Sequence, residues 1–142
     1  MVIPGRPIKD DGNNRIYTCA ADGETTIAAQ MDIIGNDSKE YHHANETADV
    51  SSAIRIRMRG NSSRAFDKPS YAIRLVDKEG ENNPLSIMGM DAHHEWVLYG
   101  PWLDKTAIRN YMFYNLAGEM MSYAPNVRFC EVILNGEYEG LY

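Results

Sequence analysis

The stretch SAIRIRMRG (52–60) decides the fold class. Ile54, Ile56 and Met58 alternate with Arg55, Arg57 and Arg59, and a period of two places the two sets on opposite faces of a β-strand. One face is apolar and looks to a core; the other carries the arginines. The loop GNSSRAFDKPS (60–70) follows at once, short, polar and glycine-containing, and YAIRLVD (71–77) resumes a strand pattern. Two strands joined by so short a loop predict an α+β fold with a mixed or mostly antiparallel sheet, given the single long helix read further along the chain.

Upstream, RIYTCAA (15–21) and TTIAAQMDII (25–34) are split by DGE and read as two strands across a turn. Residues 1–14 are rich in Pro, Gly, Asp and Asn and read as an irregular lead-in. GNDSKEYHHANETADVSS (35–52) is polar and long, the pattern of an exposed excursion. Downstream, KEGENNP (78–84) is a turn, and HEWVLYG (94–100) is a strand continuous enough to be buried on both faces. Asp104 stands where an N-cap belongs, ahead of KTAIRNYMFYNLAGEMMSY (105–123). That helix is apolar over most of its circumference, with Ala107, Tyr111, Tyr114 and Met121 on one side and Ile108, Met112, Leu116 and Met120 on another. It is expected to be wedged between other elements. NVRFCEVILNGEYEGLY (126–142) reads as a hairpin turning at Asn135-Gly136, the type I′ pair, with the chain ending inside the second strand.

A length of 142 residues suits one domain, and the net charge of −6 argues against a general nucleic-acid partner. The charge is uneven, however. Residues 55–74 hold six basic side chains and one acid, a local +5 that leaves −11 for the rest of the chain. A basic island in an acidic chain points to a local anion site. Cys19 and Cys130 lack metal-ligand spacing, and the adjacent pairs His42-His43 and His93-His94 read as exposed loop residues rather than metal ligands. No apolar run reaches the length of a membrane span, and the first residues show no signal-peptide core.

The loop is the strongest candidate site. Gly60, Asn61, Ser62 and Ser63 offer backbone N–H groups and short side chains, with Arg59, Arg64 and Lys68 as cations around them. Converging donors and fixed positive charge are what a phosphate requires. The loop is not a Walker loop, because the further glycine and the terminal Lys-Ser/Thr are missing. A turn held by Asn and Ser side chains explains the same residues without any ligand. Arg109 and Asn110, on a helix with few polar positions, read as structural pairing partners, and Asp104 as a cap.

Three blocks, RIRMRGNSSRAFDKPSYAIRL, HEWVLYGPWLDKTAIRNYMFYNLAGEM and YAPNVRFCEVILNGEYEGLY, resemble in order and spacing the signature blocks of the spore-coat CotH kinase family. The resemblance covers residues 53–142 and implies an atypical protein kinase, with residues 15–142 the N-terminal portion of a partial kinase-like domain. It implies ATP and Mg²⁺ as cofactors, and a secreted or surface protein of the spore-coat kind as substrate. By the same resemblance Arg59, Gly60, Asn61, Ser62, Ser63, Arg64, Lys68 and Tyr71 lie near the nucleotide phosphates. The family's magnesium-binding acids follow the NGEYEGLY block, so the metal ligands are expected outside this chain and the piece alone is expected to be inactive. The resemblance points to the cell or spore surface. A different class of function, a non-catalytic extracellular scaffold or ligand-binding module using Trp96, Trp102 and the tyrosines as stacking surfaces, fits the same composition.

Overall fold

The computed structural model describes residues 26–35, 40–60 and 62–142. The expected strand 15–21 and the lead-in lie outside the described residues. Four strands, β1 (Ile27–Ile33), β2 (Val50–Arg59), β3 (Ser70–Val76) and β4 (Glu95–Leu98), form one sheet in sequence order, every neighbouring pair antiparallel. A 3₁₀ turn (Ser62–Ala65) links β2 to β3. Among the described residues, one helix, α1 (Arg109–Met120), and a hairpin of β5 (Glu131–Leu134) and β6 (Glu137–Leu141) follow the sheet, an α+β arrangement.

The alternation in β2 sets the layers. Ile54, Ile56 and Met58 are essentially buried and sit across from Leu75, Ile73 and Tyr71 of β3. Ala29 and Met31 extend that face on β1, and Val132, Leu134 and Tyr142 of the hairpin segment join the same cluster. Each large side chain taken out of water there contributes roughly 1.5–3 kcal/mol. Register is therefore fixed by burial, since a slip of one residue would send the arginines inward. On the outer face Arg55 lies directly opposite Arg74. Glu95, opposite Arg74 on β4, answers that repulsion with an ion pair of 3.1 Å from Arg74 Nη2.

Two expectations are corrected. β4 is not buried on both faces: it is an edge strand of the sheet, and Val97 is 51% exposed. The helix is not wedged between other elements, because none of its residues is buried. Its start also moves. Ala107 adopts φ 59°, a left-handed conformation that no α-helix continues through, so regular structure begins at Arg109. The hairpin turns at Asn135 (φ 53°) and Gly136 (φ 87°), both left-handed as a type I′ turn requires.

Candidate functional site

A cleft of about 280 Å³ opens where three segments meet: Lys68 just before β3, residues 101–107 after β4, and Leu141 at the end of β6. The meeting follows from register. Tyr71 pairs with Leu98, which brings the start of β3 beside the end of β4. Gly100 N donates to Ser70 Oγ at 3.0 Å, and a Cβ at Gly100 would stand 2.6 Å from the carbonyl oxygens of both Lys68 and Pro69. Only glycine permits that approach. Trp102 N then donates to Gly100 O at 2.8 Å, a tight turn that leads residues 102–107 past Lys68.

Lys68 reaches the hairpin. Its Nζ donates to Glu139 O at 2.8 Å and lies 4.2 Å from the centre of the Tyr142 ring. The carbonyl is presented by a β-bulge: Ile133 pairs with Tyr138 and Val132 with Gly140, so Glu139 is the extra residue on β6. Gly140 has φ 83°, and a Cβ there would sit 3.2 Å from Lys68 Nζ. Beyond the bulge, Cys130 and Tyr142 exchange backbone hydrogen bonds of 3.0 and 2.8 Å. Burial pushes the Cys130 thiol up, with Lys68 opposing, and burial beside Tyr71 and Glu139 holds the Tyr142 phenol protonated.

Lys105 lines the same cleft, its Nζ 3.9 Å from the centre of the Trp102 ring. Asp104 is buried and engaged by its own turn. It accepts from Thr106 Oγ1 at 2.6 Å, Thr106 N at 3.2 Å and Arg109 N at 3.0 Å, and Arg109 Nε stands 3.5 Å away. The Thr106 hydroxyl foremost, then these backbone N–H groups and the guanidinium, hold its carboxyl below the usual 3.8 against the opposing effect of burial. The expected cap is thus real in chemistry, although Ile108 occupies the N-cap position.

Of the residues expected around phosphates, Lys68 alone lines this cleft among those described. Arg59, Gly60 and Ser62 are exposed at the end of β2 and the following 3₁₀ turn, and Ser63 is half-buried. Asn61 and the Arg64 side chain lie outside the described residues. Tyr71 is fully buried on the core face, its ring 6.2 Å from that of Tyr142. Trp102, Lys105 and Leu141 were not singled out around Lys68. The sequence signal for the hairpin side was available in Gly140, since a glycine inside a strand marks a bulge.

The donor set suits an anion and does not suit magnesium. Asp104's carboxylate is already ligated by Thr106 and Arg109, and among the described residues no three of His, Cys, Asp or Glu gather as a metal site. Compared with known proteins, the chain matches the model of the family described as CotH kinase protein over residues 56–142, more than half its length. No curated protein and no solved structure matches it.

Proposed function

This chain belongs to the CotH kinase protein family, and from that premise we propose that residues 15–142 are the nucleotide-phosphate-handling part of an atypical, ATP-dependent protein kinase. The observation that carries the reading is Lys68: its ammonium is fixed by Glu139 O and the Tyr142 ring at the edge of a cleft. An ammonium so restrained binds phosphate as a point charge without reorganising. In this reading ATP lies with its phosphates toward Lys68, and Arg59, Gly60, Asn61, Ser62, Ser63 and Arg64 supply further donors on the loop side. Tyr71, buried under the hairpin, supports Lys68 through Tyr142 rather than touching nucleotide. Magnesium would neutralise charge on the phosphates during transfer, held by acids other than those described here. The acceptor would be a hydroxyl of a secreted or surface protein.

The test is ATP binding by calorimetry. Lys68→Ala is expected to weaken affinity roughly 10- to 100-fold, the usual worth of a hydrogen bond to a charged group. Circular dichroism checks that the variant is folded. Equal affinity in a folded variant removes Lys68 from the site.

A further inference from the structure

Resting on that reading of Lys68, we infer that Lys105, held over Trp102, is a second phosphate-positioning residue and that the phosphates, rather than the base or ribose, are what the cleft recognises. Both lysines line one open cleft, and each ammonium is restrained by a different element: Lys68 by the bulge of β6, Lys105 by the indole at 3.9 Å. Asp104 lines the same space, but its oxygens accept from Thr106 and Arg109. It is committed to the turn that carries Lys105, two residues beyond Leu103, and so serves to place that lysine. The remaining walls, Pro101, Trp102, Ala107 and Leu141, are apolar, so the two lysines are the cationic groups an anion would meet there.

Charge narrows the ligand. The cleft, of about 280 Å³, is open to solvent, so what it can select is the anionic part of a ligand that reaches both lysines. Restraint adds to affinity, because a lysine already resting on a ring or a carbonyl loses little freedom when the anion arrives.

The experiment compares inorganic tripolyphosphate, ATP and adenosine by calorimetry on the chain and its Lys105→Gln and Trp102→Leu variants. Tripolyphosphate is expected to bind and adenosine alone not to. Lys105→Gln should weaken tripolyphosphate and ATP alike by about tenfold, one charge-assisted contact, with an unchanged thermal midpoint because Lys105 is exposed. Trp102→Leu, which keeps the charge and removes the ring, should weaken both by roughly two- to fivefold. Tripolyphosphate bound equally by wild type and Lys105→Gln, or bound by neither at millimolar concentration, overturns the inference. Tripolyphosphate binding that depends on Lys105, with ATP binding no tighter, upholds the cleft and sinks the nucleotide reading. ATP binding that needs Lys68 and ignores Lys105 does the opposite.

Discussion

Gly100→Ala tests the geometry that creates the cleft. The new methyl would meet Lys68 O and Pro69 O at 2.6 Å and the Pro69 carbonyl carbon at 2.9 Å, all backbone atoms of the neighbouring segment. No side chain can rotate away, so β3 and β4 must separate at that end. Overpacking of this kind costs about 1–3 kcal/mol, and contact with backbone places it toward the upper figure. Against it stands about 0.4–1 kcal/mol gained from a less flexible unfolded chain. The net loss is about 2 kcal/mol, a fall of about 4–8 °C in Tm for a domain of this size. Gly118→Ala is the control. It lies inside α1, and its Cβ would touch only the Ala124 methyl at 3.9 Å, so it should gain about 0.5–1 kcal/mol. Both variants are read by thermal and urea unfolding followed by circular dichroism. If Gly100→Ala is neutral or stabilising while the control behaves, β4 does not lean on the Lys68–Pro69 backbone and the cleft has been misassembled.

Asp104 makes stability depend on acid. Its folded pKa lies below the ordinary 3.8, so its contribution is complete above that value and is lost as pH falls through the lower, folded one. The gap in urea midpoint between wild type and Asp104→Asn should therefore narrow from about pH 5 to about pH 3, and a constant gap would show that the carboxylate charge is not what the turn uses. At the edge of the sheet, Glu95→Gln breaks the 3.1 Å pair with Arg74, whose two side chains are more than half exposed. It should cost under about 1 kcal/mol and less still in high salt; a larger loss would mean that the Arg55–Arg74 repulsion is much stronger than an exposed face allows.

The sequence was legible where periodicity and geometry leave one answer. Alternation in β2 named the core face and the arginine face, and Asn135-Gly136 named the hairpin turn, because few dipeptides accept two left-handed residues in a row. The continuous run Trp96–Val97–Leu98 was ambiguous: a strand covered twice and an edge strand share that pattern, and only pairing separates them. Helix α1 misled for a related reason. An apolar circumference predicts cover on every side, yet Phe113 and Met120 are 59% and 78% exposed, and hydrophobicity does not say what supplies the cover. The start of the helix was lost to one residue, since nothing in alanine announces φ 59° at Ala107. At the site, the loop cations were visible as a charge cluster, but the partners of Lys68 were not. Glu139 contributes a main-chain oxygen, which any residue type carries, and Lys105 arrives through a register that pairs strands far apart in sequence.

Two glycines from different elements enclose Lys68, Gly100 against its carbonyl and Gly140 near its ammonium. A lysine that merely tied hairpin to sheet would account for Gly140 and for the bond to Glu139 O, since a hydrogen bond from a charged donor contributes about 1.5–3 kcal/mol before its partial exposure is discounted. It would not account for Lys105 in the same cleft. A strut needs no second cation, yet Lys105 lines the same cleft with its ammonium resting on the Trp102 ring. What separates a binding site from a structural tie in this chain is therefore the pair of lysines lining one cleft, Lys68 bonded to Glu139 O and Lys105 resting on the Trp102 ring.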